Sequence, residues 1–159
     1  MIPAITTELL DSLLEQARQS PRLRQHHNLH ASYADPCQRL LNVILAQSYI
    51  RPHRHRQDPK AETLFALSGV FKVLTFDSQG TPASVTLIGP AGTEKAVGTC
   101  AIEVAPDEWH TAIALTESAV LLEMKAGPFN PDAPKEAAPW APAEGSPEAQ
   151  SYLDMLRLL

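Results

Sequence analysis

At 159 residues with 44% hydrophobic side chains, the chain has material for one domain with a single closed core. Its formal charge of −5 and pI near 5.6 argue against a general electrostatic attraction to nucleic acid or anionic membrane, so an anionic ligand must be met locally. Cys37 and Cys100 stand outside any Cys-x-x-Cys pair, which argues against a disulfide framework.

Residues 1–20 carry no basic leader, and no run approaches the ~18 apolar residues of a membrane span, so a cytoplasmic protein is expected. Ile5, Leu9, Leu10, Leu13, Leu14 and Ala17 recur at three and four, with Thr6 or Thr7 as N-cap and Pro21 closing the pattern. This predicts an amphipathic helix packed outside a sheet. Between Pro21 and Ala34 come Arg22, Arg24, His26, His27 and His30. This polar stretch is either a solvated basic loop or an anion clamp, since Arg22 and Arg24 could offer forked guanidinium groups to one side. A second metal site from His26 and His30 is discounted for want of a further ligand at good spacing.

Residues 37–127 show short apolar runs separated by turn residues, which predicts strands near 38–46, 48–55, 61–67, 69–77, 83–89, 99–105, 109–115 and 118–126. Asp77-Ser78-Gln79-Gly80 and Gly89-Pro90-Ala91-Gly92 are the clearest turns. Eight short strands without a repeat bury both apolar faces by jelly-roll closure, giving an all-β barrel flanked by a helix at each end. Residues 128–147 are broken by Pro128, Pro131, Pro134, Pro139, Pro142 and Pro147 and read as a segment laid over a surface, with Trp140 as its anchor. Ser146 and Pro147 would open a last helix, 147–159, striped by Leu153 and Leu156.

The chemistry concentrates in Tyr49 to Gly69. On a strand His53 and His55 point the same way and Arg54 away, so two imidazoles can grip one ion. The turn at Asp58-Pro59 returns the chain antiparallel and brings Glu62 beside them. His110, after the turn Pro106 to Glu108, completes a set of three imidazoles and one carboxylate. That set suits one divalent first-row ion, with zinc, iron, manganese, nickel and cobalt all open. Strand parity puts Tyr49 and Arg51 on the inward face with His53, Tyr49 as a donor to a metal-bound ligand and Arg51, like Arg22 and Arg24, as a candidate ligand-binding cation. Glu123 alternates with Leu122 and Met124, and if it faces inward it becomes a proton-transfer carboxylate. Trp109 faces away from the side on which His110 lies, into packing.

The order His53-x-His55, Glu62, six residues, Gly69, then His110 after a proline turn resembles the paired motifs of the cupin superfamily. Six residues separate His55 from Glu62 where three or four are usual, Gln47 and Glu108 replace two motif glycines, and Ala114 replaces the trailing asparagine. Arg22-x-Arg24-x-His26-His27-Asn28-Leu29-His30, Gln38 to Asn42, Ser48 to His55, Trp109-His110-Thr111 and Trp140-Ala141-Pro142-x-Glu144 resemble the WbuC family of cupin-fold metalloproteins. The resemblance implies a cupin-type jelly roll, a metal site and an association with surface-polysaccharide genes, without a defined reaction.

Two functions from different classes follow. One is a metal-dependent enzyme acting on a small carbohydrate or polar carboxylate metabolite, as an isomerase or epimerase ahead of a dioxygenase; the other is a non-catalytic, metal-centred module that binds or senses a small ligand. The expected partners are a small polar or anionic ligand and, through the apolar stripes of the terminal helices, a second copy in a homodimer, with neither nucleic acid nor membrane.

Overall fold

The computed structural model describes residues 4–93, 98–133 and 135–159; the first three residues of the expected N-terminal helix, residues 94–97 of the expected barrel and Pro134 of the proline-rich segment lie outside them. The first helix, α1, runs Thr7–Gln19, and the hydroxyl of Thr6 accepts the Leu9 N–H at 3.2 Å. That bond satisfies one of the amides left free at a helix start. The buried stripe of α1, Leu13 and Ala17, rests on Leu41, Val43 and Val120.

Those residues belong to a five-stranded antiparallel sheet in the order β1 (Arg24–Asn28), β2 (Cys37–Leu45), β9 (Ser118–Ala126), β4 (Glu62–Ser68) and β7 (Ala101–Val104). A second sheet has the order β10 (Glu136–Ala137), β3 (His53–Arg54), β8 (Trp109–Ala114), β5 (Phe71–Phe76) and β6 (Pro82–Ile88). Side chains alternate across each strand. Leu64, Ala66, Phe71, Val73, Ala112, Ala114, Ala119 and Leu121 turn inward and form the core shared by the sheets. The outer face of the second sheet carries Leu74, Phe76, Trp109 and Ile113, covered by the C-terminal helix α2 (Ala149–Leu158) through Leu153 and Leu156. The result is a jelly roll with one helix on each outer face.

Gly69, between β4 and β5, adopts φ +68°, and a Cβ there would stand 2.5 Å from the Thr116 hydroxyl, so the turn needs both the backbone freedom and the missing side chain. All eight expected strands form, but 48–55 shortens to His53–Arg54 because Pro52 has no N–H to give a ladder. Two strands carry no sequence signal of the expected kind. β1, RQHHN, has no apolar alternation because its inward residues line a cavity, and β10 is two exposed residues at a sheet edge. The last helix begins at Ala149 rather than residue 147, and Glu148 occupies its N-cap without a side-chain bond.

Residues 135–147 bring Trp140 against the outer face of the second sheet. The Trp140 ring packs at 5.0 Å from Phe76 and 6.2 Å from Trp109, above Gly80, where a Cβ would come within 2.6 Å of the indole. On the same outer face Arg54 stacks 4.3 Å over Trp109 and pairs with Glu136 at 3.0 Å. Among the described residues no helix is long and apolar enough to cross a membrane. Trp140→Ala should lower unfolding stability by about 2 to 3 kcal/mol, since a large, half-buried aromatic anchor is lost. Urea unfolding would read this as a lower midpoint; an unchanged midpoint would mean the segment is not fastened by its tryptophan.

Candidate metal centre

Strands β3 and β8 are neighbours, and His53 and His110 are direct partners across the ladder. His55 follows two residues on, and one nitrogen from each of the three rings lies within 4.8 Å of the others. Ring centroids are 4.6 Å apart for His53 and His110, 5.4 Å for His53 and His55, and 6.1 Å for His55 and His110. The rings are aimed by their own backbone. His53 Nδ1 sits 3.0 Å from the Arg51 carbonyl and His110 Nδ1 2.8 Å from the Glu108 carbonyl. A carbonyl only accepts, so both Nδ1 atoms carry protons and Nε2 is left as the ligating atom.

Glu62, 4% exposed, reaches across from the facing sheet. Its Oε1 is 3.2 Å from His55 Nε2 and 2.8 Å from Lys125 Nζ, and its Oε2 is 3.2 Å from His110 Nε2. Donor atoms bound at about 2.1 Å to one ion stand roughly 3 Å apart, so Glu62 has the spacing to share an ion with His55 and His110, while the mutually close group is His53, His55 and His110. The three imidazoles fit a divalent first-row metal by donor type.

Burial pulls the His55 pKa down from 6.5 to about 4 despite the pull of Glu62, and burial first, then the Lys135 and His110 charges, holds His53 well below its ordinary value. Both rings are neutral at neutral pH, with lone pairs free. His110 goes the other way: burial is the largest single effect and lowers it, but the hydrogen bond and charge of Glu62, with the Glu108 carbonyl and the Glu123 charge, together outweigh burial and raise it. Burial raises Glu62, yet His110 and Lys125 together hold it below the usual carboxylate range. In the absence of an ion His110 donates from both ring nitrogens. An ion and the Nε2 proton compete for one lone pair, so metal uptake releases a proton.

Two further charged side chains stand on β9. Lys125 reaches Glu123 at 3.4 Å as well as Glu62, and the two carboxylates outweigh burial to raise its pKa. Glu123 is pushed up by burial and by the neighbouring Glu62. A cavity of about 180 Å³ opens beside the imidazoles, with Asn42, Leu64, Leu121 and Glu123 in its wall.

A family model described as "Domain of unknown function (DUF6016)" matches residues 5–88. The chain belongs to the DUF6016 family. No curated protein matches it. Among solved structures this DUF6016 chain is similar to protein SO0799 from Shewanella oneidensis, with a TM-score of 0.60 at 11% identity over 80% of this chain and 82% of that one. It is also similar to an oxalate oxidase in complex with the substrate analogue glycolate, with a TM-score of 0.56 at 10% identity over 76% and 57%. The Schizosaccharomyces pombe Cnp3 cupin domain gives a TM-score of 0.50 at 10% identity over 65% and 61%. At these identities the likeness is one of fold, and the fold is the cupin jelly roll.

The remaining candidate residues of this DUF6016 chain fall differently. Tyr49 does not reach the histidines: without a regular strand over 48–52 its parity with His53 fails, and its hydroxyl donates to the Pro142 carbonyl at 3.0 Å beside Tyr152. Arg24, 7% exposed, is no free clamp, because both Glu144 oxygens accept from it at 2.7 Å. Arg22 stands 3.6 Å from the same carboxylate, and Arg51 donates to the Ala138 carbonyl at 2.6 Å. The anion met by Arg22 and Arg24 is the chain's own tail. Glu123, by contrast, does face the cavity. Lys125 and Asn42 were not anticipated. Lys125 lies two residues beyond Glu123, so the alternation that placed Glu123 places it too, while Asn42 has no signal beyond its polarity in an apolar strand.

In metal-free protein, the unfolded chain protonates His55 near pH 6.5 and the folded chain only near 4, so stability falls as pH drops through that window. His110, raised in the folded state, adds stability that is fully present below 6.5 and lost as pH rises through its folded value, so it does not offset the acid loss. Urea unfolding at pH 7, 5.5 and 4.5 should show a progressive loss reaching about 2 kcal/mol from His55 alone. A midpoint that rises on acidification would show that the rings are not held neutral.

Proposed function

We propose that the chain binds one divalent transition-metal ion through His53, His55, Glu62 and His110 and is a metal-dependent enzyme acting on a small carbohydrate or polar carboxylate metabolite, by isomerisation or epimerisation ahead of oxygenation. The observation that carries the enzymatic part is Glu123, a carboxyl of raised proton affinity in the wall of the cavity that holds the histidines. A module that only binds would need no such group. The ion, when bound, supplies Lewis acidity toward a carbonyl or hydroxyl.

The protein's own residues do the rest. The Arg51 and Glu108 carbonyls hold two imidazoles in the ligating tautomer. Lys125 fixes Glu62 and Glu123 relative to one another. Glu123 takes up and returns a proton on the substrate carbon or hydroxyl, and burial with the neighbouring Glu62 raises its proton affinity in that direction. Leu64, Leu121 and Ile50 exclude bulk water from one side of the cavity. The oxalate oxidase of like fold is described with glycolate, a small hydroxy acid, which supports a ligand with a carboxylate next to an oxygen donor.

We extend the reading with the WbuC resemblance: a cytoplasmic protein of one domain serving surface-polysaccharide synthesis, with no nucleic-acid or membrane partner, forming a homodimer through terminal-helix residues such as the exposed Met155 and Leu158.

Protein purified without added metal or a chelating tag should hold close to one equivalent of a transition metal by elemental analysis. The His53→Ala, His110→Ala double variant should lose at least nine-tenths of it while remaining folded by circular dichroism. A metal-free parent that also fails to take up added metal would end the proposal. For the chemistry, the metal-loaded protein would be incubated with a panel of aldoses, ketoses and sugar acids in D₂O. Deuterium should enter at the carbon beside the carbonyl of a turned-over sugar, at a rate that falls about 100-fold or more in Glu123→Gln with metal retained. Metal binding with no exchange across the panel would favour the non-catalytic module.

A further inference from the structure

The metal centre occupies only one end of the space between the sheets. The cavity beside His53, His55 and His110 adjoins a larger one of about 330 Å³, and the two share Asn42, His55, Glu123 and Lys135. Together they fall in the range of about 300–1,000 Å³ that small-molecule sites occupy. The larger cavity exists because of β1. Its residues His26 and Asn28 pair with Asn42 and Leu40 of β2, so all four share the inward face, and Leu40 in turn pairs with Glu123. A row of side chains therefore runs from Asn28 over Leu40 to the Glu123 carboxyl.

Two polar atoms of this wall are buried without a hydrogen-bonding partner among the described residues, His30 Nε2 and Asn42 Oδ1. His30 is only 8% exposed. Its Nδ1 lies 2.9 Å from the Arg39 carbonyl and 3.0 Å from the Arg39 N–H, so the ring is anchored through that nitrogen and Nε2 is left unmatched. A ring nitrogen of His30 and an amide acceptor of Asn42 are thus held in one wall. Buried polar groups are met by something, and leaving them unmatched costs free energy comparable to a lost hydrogen bond.

We propose that this cavity is the second half of the ligand site and takes the hydroxyl-bearing body of a polyhydroxylated acid whose acid group lies toward the histidines. The proposal rests on the metal-site reading given above for the position of the acid end. The chemistry of the wall selects the class. Asn28, Asn42, His26 and His30 can each both donate and accept, as a hydroxyl does. Lys125 and Lys135 line the same cavity with Glu123, so the wall can also meet one acid group. Phe129 and Tyr33, edge to face at 5.0 Å on the outer side, supply an apolar face for carbon-bound hydrogens.

Calorimetric titration with two probes tests this: glycolate, small enough to occupy the histidine end alone, and gluconate, which carries the same hydroxy acid on a polyol chain. Gluconate should bind the metal-loaded parent at least tenfold more tightly than glycolate. Asn28→Ala and His26→Ala, at exposed positions that line only the larger cavity, should each reduce that ratio about threefold or more while glycolate affinity and metal content stay at the parent value; a urea midpoint establishes that each variant is folded. Gluconate binding no tighter than glycolate, or variants that weaken both probes equally, would overturn the proposal. Elemental analysis of the same samples separates the two readings. Should the parent hold no metal, the site reading fails on its own, and the gluconate-to-glycolate ratio of the metal-free protein and its Asn28→Ala variant still decides for or against the subsite.

Discussion

Glu62 is the constraint on which the interior of this barrel turns. A carboxylate removed from water inside an apolar sandwich would be protonated or would destabilise the fold, unless opposite charge and donors surround it. Here they come from both sheets: His110 and His55 on one side, and Lys125 from the neighbouring strand on the other. The two sheets are therefore joined through their polar end by one side chain, as they are joined through their apolar end by Phe71, Ala112 and Leu121. Lys125 has a second effect. By also meeting Glu123, it lets two carboxylates stand close in one buried site while their proton affinities diverge, Glu62 downward and Glu123 upward. Divergent pairs of this kind are how a site assigns one carboxylate to hold charge and the other to move a proton.

The C-terminal segment shows how a basic pair can meet a carboxylate of its own chain while lining a cavity. Arg22 and Arg24 do form a basic clamp, and it does close on a carboxylate. That carboxylate is Glu144, more than a hundred residues later, and Arg51 grips the Ala138 carbonyl in the same segment. The arginines fasten the tail that carries Trp140 and leads into α2, and both also line the cavity that holds the histidines.

What was legible in the sequence follows physical lines. Alternation over strongly apolar runs located every core strand, and the three-and-four spacing of Leu9, Leu13 and Ala17 located α1, because burial of one face imposes a period on the chain. His53, His55, Glu62 and His110 could be grouped because their strands are regular enough for parity to hold. Where the backbone leaves the ladder, parity has nothing to act on. Tyr49 lies in such a stretch before Pro52, and it turned outward. β1 failed to show for the opposite reason: it is a true strand whose inward side faces a polar cavity, so His26 and Asn28 replace the apolar residues that would have marked it. Lys125 was readable by the same count that found Glu123. Glu144 as the partner of Arg24 was not, since nothing local in either segment records a contact between distant parts of the chain.

The histidine rings take their orientation from carbonyls two residues behind them, whereas the cavity walls come largely from the facing sheet and from the edge strand β1. Aim and shape are thus written in separate stretches of chain. Substitutions along β1 can resculpt what the barrel holds without disturbing how the imidazoles are presented, and changes at the β3 and β8 ends can retune the grip on an ion without altering the chamber. A scaffold divided in this way can drift among ligands by small steps, since each property is free to vary while the other is held.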